Sequence, residues 1–416
     1  MDLQTTLLKQ GRQAKSAARE LAMLSGEIKN HALLAMADAL EQKITEIIAA
    51  NAIDLERGEK NGLSPAMLDR LALNPARIQG MADGIRYVAT LPDPIGEAVF
   101  MERRPNGLDI AQIRVPLGVI GIIYEARPNV TADAAALCLK AGNAVILRGG
   151  GEAINSNRII AYLLDAAASS VGIPTGAIQI VDSESREGGL LLMQMTDYID
   201  VLIPRGGIGL KKVVEANAKV SYIMTGEGNC HIYIDEFADL AKVEPIIINA
   251  KVQRPSVCNA VETVLVHEKM KNMLPDLIKA LHLCQVEVRG CERVQAIVPN
   301  VSSATESDWE EEYNDLILAV KIVDSLEEAI EHINRYGSGH SEAIITEHYS
   351  KSRQFMQQVD AAAVYTNAST RFTDGGEFGF GAEMGISTQK LHARGPMGLP
   401  ALTTTKFMIY GDGQIR

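Results

Sequence analysis

The feature that most constrains the fold is an alternation, beginning at Gly118, between short apolar runs and segments with helical spacing. The apolar runs are Val119 to Tyr124, Ala144 to Leu147, Ile178 to Val181 and Ile199 to Ile203. Helix-like stretches accompany them at 131–141, 153–171, 186–195 and 208–217. Apolar strands that alternate with helices are typical of βαβ units with a buried parallel sheet. The pattern therefore predicts a nucleotide-binding type of α/β domain.

A second alternating block follows. Its helix-like stretches are 239–253, 269–282 and 326–335, and its strand-like runs are Ala260 to His267, Leu316 to Val323 and Ala343 to Thr346. A chain of 416 residues also exceeds the size at which a single hydrophobic core usually stops growing. The sequence therefore predicts two large α/β domains.

The start of the chain and one later segment have different patterns. Residues up to about Thr90 have helical spacing, so we expect several opening helices. Strand-like runs Ala98 to Arg104 and Leu108 to Arg114 flank Pro105-Asn106-Gly107, a turn sequence that predicts a hairpin. We expect this arm and strand-like Thr403 to Tyr410 to pair between subunits of a homo-oligomer.

Composition argues against several classes of function. The chain has 40 Lys and Arg residues against 52 Asp and Glu, and the net charge of −12 opposes binding to nucleic acid or anionic membranes. There is no signal-peptide pattern and no apolar stretch near the ~20 residues that span a bilayer, so we expect a soluble, cytoplasmic protein. The five cysteines, an odd number, favour thiols in a reducing compartment. Zinc-hydrolase and P-loop motifs are missing, and we expect no metal.

Cys258 is a candidate nucleophile that the residue pattern alone leaves open. It follows a helix-like segment and the turn at Pro255, with Arg254 nearby, and this setting can lower the pKa of a thiol. Free cysteines are, however, among the most buried residues. On spacing alone, a packed and inert thiol is therefore the stronger interpretation.

Two glycine-rich junctions connect predicted strands to predicted helices. Gly149-Gly150-Gly151 and Arg205-Gly206-Gly207 would let backbone amides approach a nucleotide at a helix N-terminus, although each can also be a plain turn. In a polar loop, His340 can bind substrate or make a structural hydrogen bond. The Gly-dense stretch 372–398 is expected to be an ordered loop at a functional cleft. Arg371 and Glu377, near its start, can be functional residues or part of a solvated loop.

Several motifs resemble the landmarks of the aldehyde dehydrogenase superfamily. They are Pro116-Leu117-Gly118-Val119-Ile120-Gly121, Arg127-Pro128-Asn129, Ala141 to Arg148 and Val257-Cys258-Asn259-Ala260, and the resemblance runs from about Val115 to the C-terminus. Within the superfamily, Glu125 to Thr131, Val323 to Ile344 and Asn367 to Gly398 look like the γ-glutamyl phosphate reductases of proline biosynthesis.

The resemblance implies an aldehyde dehydrogenase-like α/β fold, with a Rossmann-type cofactor domain, an α/β catalytic domain and a small β oligomerisation arm. It assigns residues 1–97 and 115–228 to the NADP-binding domain, 229–362 to the catalytic domain, 363–400 to a return segment lining the active-site cleft, and 98–114 with 401–416 to the arm.

The resemblance also makes Cys258 the nucleophile and Asn129 the oxyanion amide. The implied reaction is NADPH-dependent reduction of L-γ-glutamyl 5-phosphate to L-glutamate 5-semialdehyde, through a Cys258 thioester and with release of phosphate. This is the second step of proline biosynthesis from glutamate. Thr225 stands where hydrolytic relatives carry a general-base Glu, so the thioester would be protected from water, although Glu227 can still present a carboxylate nearby.

The implied cofactor set is Arg148, Gly149, Gly151, Gly206, Gly207 and Glu312. NAD-preferring relatives often carry a carboxylate where Gly151 stands, so its absence leaves room for the 2′-phosphate of NADPH, with Arg148 as a partner. Glu312 falls at the nicotinamide-ribose carboxylate, although the residues that follow it depart from the family pattern. Which of Gly206 and Gly207 faces the cofactor phosphates stays open.

Substrate binding needs cations for one phosphate and one α-carboxylate. We expect Arg254 and Arg371 to supply them, with Asn367 and His340 nearby, because Arg offers anions a bidentate fork. A functional link to glutamate 5-kinase is expected from the pathway. The alternatives are another acyl-transferring aldehyde dehydrogenase, CoA-acylating or non-phosphorylating, and a catalytically silent nucleotide-binding or scaffold protein.

Overall fold

The computed structural model describes residues 2–125 and 127–416, so Ala126 of the Glu125 to Thr131 motif lies outside the described residues. The opening helices start at side chains that accept a backbone N–H bond three residues on, namely those of Asp2, Ser25, Ser64 and Asn74. The predicted helical opening is confirmed. The helices are α1 (Leu3–Leu21), α2 (Gly26–Gln42), α3 (Ile44–Lys60), α4 (Pro65–Leu71), α5 (Pro75–Thr90), α6 (Asn129–Lys140), α7 (Ile154–Ser170), α8 (Glu187–Leu192), α9 (Ile208–Asn217), α10 (Leu240–Val252), α11 (Leu274–Leu283), α12 (Glu292–Gln295), α13 (Leu326–Tyr336) and α14 (Tyr349–Gln358).

The strands form parallel sheets and smaller antiparallel ones. They are β1 (Ala98–Arg103), β2 (Asp109–Pro116), β3 (Val119–Tyr124), β4 (Ala144–Arg148), β5 (Ile178–Ile180), β6 (Val201–Arg205), β7 (Cys230–Ile234), β8 (Val261–His267), β9 (Glu287–Gly290), β10 (Ser302–Ser303), β11 (Ile317–Val323), β12 (Ser341–Ile345), β13 (Ala363–Thr366), β14 (Ile386–Ser387), β15 (Gly395–Pro396) and β16 (Thr403–Tyr410).

The first compact unit comprises the residues up to Thr225, Gly379–Gly385 and Met397–Arg416. Its parallel sheet has the order β5-β4-β3-β6, and β3 and β4 are buried along their whole length. Ile120 pairs with both Val145 and Val201, so β3 lies between its two neighbours in the sheet. Such a doubly buried strand explains the continuous apolar runs, and the predicted βαβ domain is confirmed.

A separate antiparallel sheet of the same unit has the order β1-β2-β16. The predicted hairpin forms, with Arg103 paired to Asp109, and β16 pairs with β2 from Thr403 opposite Pro116 to Tyr410 opposite Asp109. The sheet leaves large apolar side chains exposed, namely those of Val99, Phe100, Met101, Phe407, Ile409 and Tyr410.

The second compact unit comprises Gly226–Phe378 and Ile386–Pro396. Its parallel sheet has the order β10-β9-β11-β8-β7-β12-β13, and β7, β8 and β12 are fully buried. The second predicted α/β block is confirmed. The Gly-dense stretch 372–398 is divided between the two units. The assignment of these parts to cofactor, catalytic, return and oligomerisation roles remains a prediction.

Candidate active site

Cys258 lies in the turn between α10 and β8, and its backbone is tightly held. A Cβ on Gly228, two residues before β7, would overlap the carbonyl oxygen of Cys258, so only glycine fits at 228. The Cys230 thiol, buried in β7, donates to the same carbonyl oxygen over 3.1 Å. These contacts fix the turn against the start of β7.

The two neighbouring thiols differ in exposure. Cys258 is half-buried, whereas Cys230 is fully buried. Burial, reinforced by the charge of Glu342, raises the pKa of Cys230 well above its usual value, so this thiol stays protonated. Of the two, Cys258 is therefore the thiol that a reactant can reach.

Arg371 is bound directly beside the Cys258 turn. Its Nε donates to Gln253 Oε1 over 3.1 Å, and its Nη1 donates to Asn259 Oδ1. Burial lowers the pKa of Arg371, and the like charge of Arg254 lowers it further, while the negative charge of a Cys258 thiolate raises it. A guanidinium group whose charged form is weakened by burial and by a second guanidinium nearby is a favourable partner for an anion.

Asn259 connects this arginine to the turn, although the sequence prediction did not include it. Its Nδ2 donates to the Thr373 carbonyl over 2.9 Å, and its own carbonyl accepts from Thr370 Oγ1 over 2.7 Å. Segment 370–373 is thereby clamped to the residue after Cys258. The adjacency of Asn259 to the nucleophile motif was the signal that could have identified it.

His340 and Asn367 make internal contacts. His340 is fully buried, with Nδ1 2.8 Å from Ser341 Oγ and 3.8 Å from Cys230 Sγ, and burial lowers its pKa to about 4. Asn367 has a φ of 56° and bonds to both backbone groups of Thr346, each over 2.9 Å. These contacts favour the structural alternative for His340, and a substrate contact remains a prediction for both residues.

Two acidic positions of the predicted site lie near β7. Glu312 Oε1 accepts from the Gly228 N–H over 2.9 Å, and burial raises the pKa of this carboxyl group. Glu227 is half-buried and close enough for its charge to raise the same pKa. Thr225, which the resemblance predicts to stand at the general-base position of hydrolytic relatives, is buried and donates to the Pro204 carbonyl over 2.5 Å.

The junction after β4 carries Arg148, Gly149 and Gly151. Arg148 is largely buried and donates from Nη2 to the Ser185 carbonyl over 3.0 Å, whereas its buried Nε has no hydrogen-bond partner among the described residues. Burial lowers the pKa of Arg148; the charge of Glu152 opposes this effect and that of Arg186 adds to it. Arg186, which the sequence prediction missed, therefore lies near Arg148. A Cβ on Gly149 would overlap Asn157 Nδ2, so the buried Asn157 side chain would have to move.

The junction after β6 distinguishes its two glycines. A Cβ on Gly206 would lie 2.6 Å from the Glu125 carboxyl carbon, whereas the space around Gly207 is open to 4 Å. The Gly207 N–H, at the start of α9, donates to Glu125 Oε1 over 3.3 Å. The structure therefore distinguishes an open Gly207 from a packed Gly206, and which of the two faces the cofactor phosphates remains a prediction.

Asn129 begins α6 and is exposed. Its Nδ2 donates to Asp133 Oδ2 over 3.0 Å, one helical turn along. Asp133 is half-buried, and it lines a cavity of about 200 Å³ between α5, α6 and Ala382-Glu383. The sequence prediction missed Asp133, for which the spacing of four residues from Asn129 was the available signal.

The two elements that flank the Cys258 turn are joined by a buried ion pair, which the sequence prediction also missed. Lys251 of α10 and Glu262 of β8 are fully buried and 2.5 Å apart. Burial raises the pKa of Glu262 and lowers that of Lys251.

Over residues 2–125 and 127–416, no cluster of three or more His, Cys, Asp and Glu side chains could hold a metal ion. In the same part of the chain, no helix combines the length and apolarity needed to cross a membrane.

Comparison with known proteins identifies the family. The sequence matches the aldehyde dehydrogenase family over residues 5–288 and 294–406. The γ-glutamyl phosphate reductase of Syntrophomonas wolfei is 65% identical over 415 residues, which cover 100% of this chain and 99% of the relative. That of Moorella thermoacetica is 61% identical over 407 residues, which cover 98% of this chain and 97% of the relative.

Comparison with solved structures leads to the same family. The γ-glutamyl phosphate reductase of Thermotoga maritima is 49% identical and superimposes with a TM-score of 0.97 over 99% of both chains. An acetylating aldehyde dehydrogenase of Geobacillus thermoglucosidasius, 18% identical, has a TM-score of 0.70 over 100% of this chain and 98% of that one, and shares the fold. The predicted aldehyde dehydrogenase-like fold is confirmed. The chain belongs to the aldehyde dehydrogenase family and, within it, to the γ-glutamyl phosphate reductases.

Proposed function

We propose that this chain reduces L-γ-glutamyl 5-phosphate to L-glutamate 5-semialdehyde and phosphate, through a thioester on Cys258. The reaction is the one for which its relatives, up to 65% identical along the whole chain, are named. It places the chain at the second step of proline biosynthesis from glutamate. The observation that carries the assignment of the nucleophile is the half-buried Cys258 thiol in a fixed turn beside Arg371.

The first step is attack on the acyl carbonyl. The Cys258 thiolate adds to the carbon, and the side-chain amide of Asn129 and the Cys258 N–H stabilise the negative charge that develops on oxygen. When the tetrahedral species collapses, the C–O bond to phosphate breaks and phosphate leaves. Cys230 takes no part, because burial keeps its thiol protonated.

The thioester must then survive until it is reduced. Thr225 offers no carboxylate, and its hydroxyl is already engaged by the Pro204 carbonyl. Without a general base at this position, water is not activated against the thioester. Phosphate needs no such base, since it is a good leaving group. This difference favours phosphate chemistry over hydrolysis.

The residues of the first unit fit a nicotinamide cofactor. Gly207 is open at the start of α9, and Arg148 carries a buried Nε with no partner among the described residues. When bound, the cofactor supplies the hydride that reduces the acyl group. Gly207, Gly206 and Gly149 would shape the phosphate site, while Glu312 would hold the nicotinamide ribose.

The preferred cofactor is NADPH. Burial lowers the pKa of Arg148 and the charge of Arg186 lowers it further, whereas the carboxylate of Glu152, which follows Gly151 between β4 and α7, raises it. A 2′-phosphate would relieve the repulsion between the two guanidinium groups, whereas the 2′-hydroxyl of NADH would not. The same two cations therefore favour NADPH over NADH.

Arg371 and Arg254 are proposed to hold the substrate's phosphate and α-carboxylate, because they provide paired positive charge next to Cys258. His340 and Asn367 are proposed to make further contacts with the substrate. The exposed apolar side chains of β1 and β16 favour pairing of the arm in a homo-oligomer. We also propose a cytoplasmic location. Glutamate 5-kinase is proposed to transfer the unstable acyl phosphate to this enzyme, and co-elution of the two enzymes tests this transfer.

The reverse reaction tests the function. Purified enzyme is given glutamate 5-semialdehyde and NADP⁺, and formation of NADPH is followed with phosphate, with CoA, or with neither. We expect reduction of NADP⁺ only with phosphate. Reaction that depends on CoA would identify a CoA-acylating enzyme, reaction with neither would identify a non-phosphorylating one, and no reaction would favour a silent scaffold.

A further inference from the structure

Asn129, the proposed oxyanion donor, is hydrogen-bonded to Asp133, a residue to which no role has been assigned above. Both residues belong to α6, four positions apart, so their side chains meet on one face of the helix. The Asn129 side chain is exposed, and within the described residues its hydrogen bond is the 3.0 Å bond from Nδ2 to Asp133 Oδ2. An oxyanion donor at the exposed start of a helix thus depends on one neighbour for its orientation.

We propose that Asp133 is a positioning residue, which fixes the Asn129 amide with Nδ2 rather than Oδ1 in the donor position. The proposal rests on the role of Asn129 as the oxyanion amide. An ionised carboxylate only accepts hydrogen bonds, so it holds the amide by one N–H and leaves the second N–H available to the substrate. In the flipped amide, Oδ1 would face the carboxylate and the substrate would lose its donor.

The surroundings of Asp133 strengthen the preference for the Asn129 orientation in which Nδ2 faces the carboxylate. Three residues of α5 (Gly84, Ile85 and Val88) and two of α6 (Ala136 and Leu137) line the cavity beside it without adding a charge. The charged groups that face Asp133 are Arg205, at the end of β6, and Glu383, which lines the same cavity. In this partly desolvated setting, a charge-assisted hydrogen bond discriminates between the two amide orientations more strongly than it would in water.

The ionisation of Asp133 supplies a second readout. Burial raises its pKa, while the Asn129 bond and the charge of Arg205 lower it in part. When Asp133 is protonated it can donate to Oδ1 of the flipped amide, so the orientation is no longer fixed. We therefore expect kcat to fall as the pH drops through the raised pKa of Asp133, and this acid limb to be missing in Asp133→Asn.

The test is a double-mutant cycle on the phosphate-dependent oxidation of glutamate 5-semialdehyde. Asn129→Ala is expected to lower kcat by about 100- to 1000-fold. Asp133→Asn is expected to lower kcat by about 10- to 100-fold with little change in KM, because the amide loses its fixed orientation. In the Asn129→Ala background, the same Asp133→Asn change should cost less than about 3-fold. Asp165→Asn is the matched control, since burial also raises the pKa of Asp165, in α7 of the same unit.

Each other outcome overturns the proposal in a distinct way. A slow Asn129→Ala enzyme with normal Asp133→Asn activity leaves the oxyanion role intact and refutes positioning. Near-normal activity of Asn129→Ala removes the oxyanion role, and positioning with it. If Asp133→Asn raises KM for the semialdehyde and keeps kcat, Asp133 binds substrate instead. An equal loss in both backgrounds assigns Asp133 a purely structural role.

Discussion

The Cys258 turn of the second unit and the β6–α9 junction of the first use glycine in opposite ways. At the turn, Gly228 is so tightly packed that a Cβ would overlap the carbonyl of Cys258. At the junction, the space around Gly207 is open to 4 Å, and its N–H donates to Glu125 Oε1 over 3.3 Å. A group that forms a covalent bond needs a fixed position, whereas a junction that binds and releases a cofactor needs accessible amides.

The largest expected effect on activity comes from a substitution of Cys258 in its turn. Cys258→Ser should lower the phosphate-dependent activity by about 10⁴-fold or more, because a serine hydroxyl is a much weaker nucleophile than a thiolate and the neighbouring Cys230 thiol is buried. Cys284→Ser, a half-buried thiol at the end of α11, is the control and should stay active. Alkylation followed by peptide mapping should label Cys258 in step with inactivation. A fully active Cys258→Ser enzyme would end the thioester mechanism.

The next-largest expected effect is on the free energy of unfolding, where a tightly packed glycine is compared with an open one. Gly228→Ala must displace the Cys258 backbone, and we expect it to lower the free energy of unfolding by about 3 kcal/mol or more, with most activity lost. Gly209→Ala, in α9 where a Cβ meets nothing within 4 Å, should be neutral or stabilising by up to about 1 kcal/mol. Thermal unfolding of both variants measures the difference. Equal melting temperatures would contradict the close packing at Gly228.

Arg371 tests whether the turn also binds the anionic substrate. Arg371→Ala should raise KM for phosphate and semialdehyde by about 10- to 100-fold, and Arg371→Lys should recover only part of this loss because it lacks the fork. Arg335→Ala, an exposed arginine of the same unit paired with Glu306, is the control. Unchanged apparent affinity in Arg371→Ala would remove the proposed substrate role.

The smallest expected effect concerns the cofactor side. Gly151→Asp should raise KM for NADPH by about 10-fold, or about 1.4 kcal/mol, relative to Gly151→Ala, and leave KM for NADH nearly unchanged. The alanine variant is needed because a Cβ at 151 lies 3.1 Å from the Glu184 carbonyl, which is a tight contact by itself. If both variants affect the two cofactors equally, the charge at 151 does not set the preference.

The elements that the sequence analysis missed have recognisable causes. Strand β7 contains His231, a polar residue in its apolar run. The His231 side chain is nevertheless buried, with its ring Nδ1 3.2 Å from the Asn229 carbonyl oxygen and 3.5 Å from Glu342 Oε2. Helix α14 is polar, with Phe355 as its buried residue, so its helical periodicity is weak. Strands β9 and β13 are only four residues long. Local pattern detects elements whose burial is repeated along the chain, and these lack that repetition.

The sequence by itself determined the α/β class, the two blocks, the hairpin arm and, through its motifs, the family and the proposal of Cys258 as the nucleophile. These follow from periodicity and from short runs of neighbouring residues. The tertiary structure decided that Cys258 is more accessible than Cys230 and that Gly207 is open whereas Gly206 is packed. It also brings Arg371 to Asn259, 112 positions away in the chain. It also revealed the contacts of Asp133 and Arg186. Burial and electrostatic partners come from residues far apart in sequence, so they exist only after the chain has folded.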